Sequence, residues 1–156
     1  MAESMKGLKR SHRCTEVSNK NVGETVTVMG WVQKRRNLGS LIFVDLRDRS
    51  GIFQIVFDEN DVKAEGFAKA ETIRNEFVLA VVGRVEKREG AVNENLKTGD
   101  IEIRACELRI LSEAQTPPIP VEEGVNTKDE LRLKYRYLDL RNTKGGFIKI
   151  NVLPVL

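Results

Sequence analysis

Gly30–Phe57, GWVQKRRNLGSLIFVDLRDRSGIFQIVF, reads as three short strands joined by two tight connections. Leu41–Asp48 decides the matter. Alternate side chains of a strand point to opposite faces. Ile42, Val44 and Leu46 therefore form one wholly apolar face, and Leu41, Phe43, Asp45 and Arg47 form the other. An all-apolar face belongs to a core, so Phe43 shares its face with two charged residues. In Gly51–Phe57 the bulky face is Phe53, Ile55 and Phe57, and Gln54 lies opposite, between Ile52 and Val56. A hairpin of these two strands can bring Phe43 and Gln54 to one outer surface. There the ring would offer a stacking platform to a base, and the amide would offer a base edge both donor and acceptor. The other reading packs Phe43 beneath a loop.

Lys34, Arg35 and Arg36 fall, on this reading, in the connection between strands one and two, where Asn37 and Gly39 permit a turn. Three adjacent cations suit a phosphate backbone, and a solvated charge run is the alternative. Asp45, Arg47, Asp48 and Arg49 interleave opposite charges. That pattern points to ion pairs and hydrogen bonds holding a turn, not to a pair of catalytic carboxylates.

Outward from this segment, Val26–Val32 alternates as the first strand, with Val26, Val28 and Val32 on one face. Glu59–Thr72 changes to helical spacing through Val62, Phe67, Ala70 and Ile73, Phe77–Val85 is a fourth strand and Ile101–Leu111 a fifth. Between the last two, Glu86–Asp100 is polar and glycine-bearing, and reads as a loop. Five strands with a helix between the third and fourth give an all-β fold class. The expected architecture is a five-stranded OB-fold Greek-key barrel, whose second and third strands and adjoining loops bind oligonucleotides. A generic five-stranded α+β domain has the same element order. Pro117, Pro118 and Pro120 make residues 112–129 an extended linker. Asp129–Leu140 then has the spacing of a short C-terminal helix, and Asn142–Leu156 fits no preceding pattern.

The 156 residues suffice for one domain with an appendage, and a net charge of +3 permits a polyanionic partner without requiring one. Cys14 and Cys106 lie far apart and His12 is the only histidine, too few ligands for a structural zinc site. No run approaches the roughly 20 apolar residues of a membrane span, and the polar start carries no secretory signal. A cytoplasmic location, no membrane partner and no metal are expected. No glycine-rich phosphate loop or nucleophile–base constellation is present, so no catalytic residue is expected.

At Gly30–Phe57, and again at Ile73–Val78 (IRNEFV), Asn93–Ile103 (NENLKTGDIEI) and Leu131–Arg141 (LRLKYRYLDLR), the chain resembles the bacterial aspartyl-tRNA synthetases. The resemblance implies that residues 1–111 are an OB-fold anticodon-binding domain. It makes 112–129 a linker, 130–141 the start of a class II catalytic domain, and 142–156 an aberrant tail after truncation. It implies a tRNA partner, the anticodon loop of aspartate tRNA. Phe43 and Gln54 would lie at the middle base, Lys34 and Arg36 beside the loop, and Arg88 and Asn93 approaching it. Glu86 stands where many members carry a basic residue. ATP and Mg²⁺ would serve the parent enzyme's catalytic domain, with no cofactor in this chain and no aminoacylation by it alone. The parent would be a homodimer and this chain a monomer. A free-standing barrel for single-stranded nucleic acid and a structural or protein-interaction barrel are the alternatives.

Overall fold

The computed structural model describes residues 2–122 and 126–141. Period-two alternation becomes five strands: β1 (Thr25–Asn37), β2 (Leu41–Asp48), β3 (Gly51–Asp58), β4 (Val78–Lys87) and β5 (Ile101–Ser112). One helix, α1 (Ala64–Glu71), lies between β3 and β4. The strands close in the order β1-β2-β3-β5-β4, with β4 returning to β1. All neighbours are antiparallel except β3 and β5, whose short parallel ladder sets Ile55 beside Ile103 and Val56 beside Arg104. This is the closed five-stranded barrel of the OB-fold.

The face read as apolar is the core. Val26, Val28 and Val32, Ile42, Val44 and Leu46, and Phe53, Ile55 and Phe57 are all buried. Burying each such side chain is worth about 1.5–3 kcal/mol. From α1, Phe67 and Ala70 join them, flanked by Val62 and Ile73. Ahead of β1, Cys14 and Val17 also enter the core, and the Cys14 backbone N–H donates to Asp48 Oδ2 at 2.8 Å.

Three expectations are corrected. Lys34, Arg35 and Arg36 are strand residues, because β1 runs 13 residues and serves two neighbours. Its first half pairs with β4 and its second with β2, where Lys34 faces Asp45 and Arg36 faces Phe43. A bulge between Val32 and Lys34 re-aims the strand. The connection shrinks to residues 38–40. Asn37 Oδ1 accepts from the Gly39 N–H at 2.9 Å, and Gly39 holds φ +85°, a left-handed value that glycine adopts without strain. The helix α1 starts later than its periodicity suggests. Asp58 Oδ1 accepts from the Asn60 backbone at 2.9 Å and from its side chain at 3.0 Å, holding a turn that delays the helix to Ala64. The stretch read as one helix over Asp129–Leu140 is two, α2 (Asp129–Lys134) and α3 (Arg136–Asp139). They break at Tyr135 (φ −112°, ψ 45°), and buried Asp139 accepts from Arg132 at 3.0 Å and Arg136 at 3.1 Å.

The chain divides into a unit spanning Met1–Gln115, which holds the barrel, and a second beginning at Thr116. Among the described residues no helix is long and apolar enough to cross a membrane. The pattern break over Asn142–Leu156 lies outside the described residues.

Candidate nucleic-acid interface

Side chains that alternate away from the core form an outer face across the sheet. Paired residues of neighbouring strands share a face, so Arg36 on β1, Phe43 on β2 and Val56 on β3 lie in one row, and Lys34, Asp45 and Gln54 in the next. Arg35 alternates to the other side, where its guanidinium donates to the Glu71 carbonyl at the end of α1. On the outer face lies an open cleft of about 500 Å³. It is lined by Phe43, Gln54, Val56 and Glu102, by Arg36, Arg88 and Arg104, and by Leu38 and Gly90–Asn93 from two loops.

Of the residues singled out in the sequence, Arg36, Phe43, Gln54, Arg88 and Asn93 line this one cleft. Lys34 does not. It is exposed on β1 opposite Asp45. Phe43 is half-buried, and the Arg36 guanidinium lies 5.5 Å from its ring centroid. Gln54 is more enclosed than the alternation implied, being only 3 % exposed. Its Oε1 accepts from Arg36 Nη2 at 3.2 Å and from Arg88, and its Nε2 donates to Glu102 Oε2 at 2.9 Å. These three partners fix which end of the amide points where.

Burial pushes the carboxyls of Asp45 and Glu102 above the usual carboxylate range. Arg36, Arg88 and Lys34 oppose the shift at Asp45, and the Gln54 hydrogen bond leads the opposition at Glu102. Arg104 differs from the other cations of the cleft. It bonds Asp58, meets Asp61 at 2.8 Å and Glu89 at 3.3 Å, and has Glu86 at 3.9 Å. Four carboxylates hold it, so the cationic character available to a phosphate rests on Lys34, Arg36 and Arg88. Asp48 does hold the β2–β3 turn, as the interleaved charges suggested. Its Oδ1 accepts from the Ser50 backbone at 2.7 Å and from the Ser50 hydroxyl at 2.5 Å. Arg47 pairs with Glu76 at 2.9 Å, both buried.

Reasoning from sequence missed Glu102 and Leu38. Strand-five alternation, with Ile101, Ile103 and Ala105 inward, was enough to turn Glu102 outward. Nothing local says that β5 lies beside β3, because that pairing is a parallel crossover. Leu38 carried only a turn signal.

Residues 26–111 match the tRNA anti-codon family, described as an OB-fold nucleic acid binding domain. An aspartate--tRNA(Asp/Asn) ligase of Lachnoclostridium phytofermentans is 73% identical over 90% of this chain, which spans 24% of that protein. An aspartate--tRNA ligase of Agathobacter rectalis is 68% identical over 100% of this chain and 27% of its own length. The chain thus spans about a quarter of these curated relatives. Among solved structures, asparaginyl-tRNA synthetase from Pyrococcus horikoshii, complexed with asparaginyl-adenylate, superposes with a TM-score of 0.74 at 31% identity. It covers 88% of this chain and 30% of that one. With the family matched over more than half its length and the closed barrel observed, the chain belongs to the tRNA anti-codon family of OB-fold nucleic acid binding domains.

Proposed function

We propose that this chain recognises a tRNA anticodon loop, as the anticodon-binding part of an aspartate--tRNA ligase. The carrying observation is the cleft in which Phe43, Gln54, Arg36 and Arg88 converge. A splayed-out base stacks on the Phe43 ring, a contact worth roughly 1–3 kcal/mol. The Gln54 amide, oriented by Glu102, reads that base's edge. Arg36, Arg88 and Lys34 engage the phosphates on either side. Asn93, which lines the same cleft, approaches the loop.

Aminoacylation is proposed only for full-length relatives. ATP and Mg²⁺ would act there in a catalytic domain, and no step is assigned to them here. Cytoplasmic residence, a homodimeric parent and a monomeric present chain belong to the same proposal.

The test is a titration with a hairpin RNA whose loop carries the aspartate anticodon GUC, beside one with the middle base changed, each at two salt concentrations. Salt-sensitive binding is expected, weakened about tenfold by the base change. Equal affinity for both hairpins refutes anticodon reading.

A further inference from the structure

Residues 4–15, SMKGLKRSHRCT, contain Lys6, Lys9, Arg10 and Arg13 and no acidic residue. Lys6, Lys9 and Arg10 are exposed, and Arg13 is half-buried. Among the described residues none of the four enters an ion pair, whereas Lys69, Arg104 and Arg109 are each held by carboxylates. The acids nearest in sequence are engaged otherwise: Glu3 pairs with Lys69 at 2.7 Å, and Glu16 accepts from the Arg13 backbone N–H at 2.8 Å. Like charges gathered without partners repel one another, a cost that a polyanion relieves.

The run is a pinned strap, not a loose tail. At its start Glu3 accepts from the Ile110 N–H at 2.7 Å, and Arg109 donates to the Ser4 and Lys6 carbonyls at 2.9 and 2.7 Å. Midway, the Ser11 N–H donates to the Thr27 carbonyl at 2.9 Å, and the Ser11 hydroxyl accepts from the Thr27 N–H at 2.8 Å. Arg10 reaches the Met29 carbonyl at 3.4 Å. At its end the Cys14 N–H is held by Asp48, and the Thr15 N–H donates to the Ser50 hydroxyl at 3.0 Å. Apart from the Arg10 bond, these contacts leave the cationic side chains unspent. A segment already ordered loses little further freedom when it binds.

We propose that this strap is a second RNA contact, whose cations meet the phosphates of the duplex stem that carries the loop held in the cleft. The proposal rests on the anticodon reading and adds a partner surface to it. Strand β1 supplies the continuity. Its first half holds the strap at Thr27 and Met29, and its second half carries Lys34 and Arg36. Residues 6–13 can span at most about 25 Å, a length over which a duplex offers closely spaced phosphates. Contacts to phosphates position a nucleic acid and carry no sequence information. The strap thus adds affinity and orientation, and base choice stays with the cleft.

The experiment titrates the full chain and its Lys6→Gln, Lys9→Gln, Arg13→Gln triple variant with the GUC hairpin and with a linear oligonucleotide of the loop sequence alone, over a series of salt concentrations. Arg10 is left in place because its side chain bonds the Met29 carbonyl. On the hairpin the triple variant should lose at least about tenfold at low salt. The slope of log affinity against log salt should fall by about two to three, roughly 0.9 for each phosphate no longer met. On the linear strand the variant and the wild type should bind within about twofold of one another, and middle-base discrimination should be unchanged. A Lys6→Arg, Lys9→Arg, Arg13→Lys variant, which keeps the charges, should keep the wild-type slope. Thermal melting separates binding from folding, and both variants should melt as the wild type does. A triple glutamine variant with the wild-type affinity and slope on the hairpin overturns the strap and leaves the anticodon reading standing. An equal loss on the linear strand also overturns it, because the cations then act as a general field and not on the stem. Loss of binding to phosphatidylglycerol vesicles with hairpin affinity unchanged assigns the strap to a lipid surface instead. A wild type that does not discriminate the middle base overturns the anticodon reading, while the difference in slope still reports on the strap.

Discussion

The guanidinium of Arg36 covers the Phe43 ring, the face on which the proposed base would stack. It lies 5.5 Å from the Phe43 ring centroid, donates to Gln54 Oε1 at 3.2 Å and stands 3.7 Å from Asp45. A cation–π contact at so exposed a site is worth about 0.5–1 kcal/mol, whereas a stacked base is worth roughly 1–3 kcal/mol. On the proposed reading a base would therefore displace the guanidinium from the ring and free it for a phosphate. Phe43→Ala should weaken hairpin binding by about 1–3 kcal/mol while shifting the melting temperature little, since Phe43 is not part of the core cluster. Calorimetry of both quantities checks it. A large loss of stability with unchanged binding would return Phe43 to a packing role.

Glu102 anchors the N–H₂ end of the Gln54 amide. Removing the carboxylate in Glu102→Ala leaves a buried amide N–H₂ without its acceptor, at a cost of about 1–3 kcal/mol. Arg36 and Arg88 still hold the Oε1 end, and the N–H₂ end is left without its anchor. Discrimination between hairpins that differ at the middle base should fall more than affinity for the better one does. Glu102→Gln, which keeps an acceptor oxygen in place, should recover part of the discrimination. Paired titrations with the two hairpins decide it.

Asp48 ties the N-terminal segment to the β2–β3 turn, and its titration has a definite sign. Burial alone would raise its pKa, but hydrogen bonds from the Ser50 side chain and from the Cys14 and Ser50 backbones outweigh it. The carboxyl is held below its ordinary value. A folded-state pKa below the unfolded one of about 3.9 means that Asp48 stabilises the fold above that pH. The contribution disappears as pH falls through the folded value. Asp48→Asn should therefore cost about 1–3 kcal/mol at pH 7, and the gap to the wild type should narrow toward pH 3. Urea midpoints at the two pH values measure it, and a constant gap would contradict the assignment.

Arg47 and Glu76 form a buried pair between β2 and the segment leading into β4, with Arg47 Nη2 donating to both carboxylate oxygens at 2.9 and 3.1 Å. Removing one charge leaves the other in low dielectric. Glu76→Ala should destabilise by about 3–5 kcal/mol, among the largest single losses in the barrel. Chemical denaturation of the variant is the check, and a loss below about 1 kcal/mol would mean that water reaches Arg47.

Much of the fold was legible because a strand's period of two is a local property. The inward residues of β2, β3 and β5 were separable from their outward neighbours without knowing which strand lay next to which. Helical spacing likewise identified Phe67 and Ala70 as the buried face of α1. Element limits were less legible, because they depend on partners. Alternation alone did not extend β1 through its cations, since the ladder to β2 beyond the bulge at Val32 holds Lys34–Asn37 in the strand. The Asp58 turn that shortens α1 is a side-chain event that periodicity does not register.

By itself the sequence determined the five strands and the helix among them, their core face, and the presence of an outward ring and amide on adjacent strands. Only the tertiary structure decided that the amide is held by Arg36, Arg88 and Glu102, and that Arg36 covers the ring. It also decided that Leu38 and Val92 share one cleft. The physical reason is range. Alternation is written within a few residues, whereas Gln54 and Glu102 lie 48 positions apart and meet through a parallel β3–β5 pairing that closure of the barrel imposes.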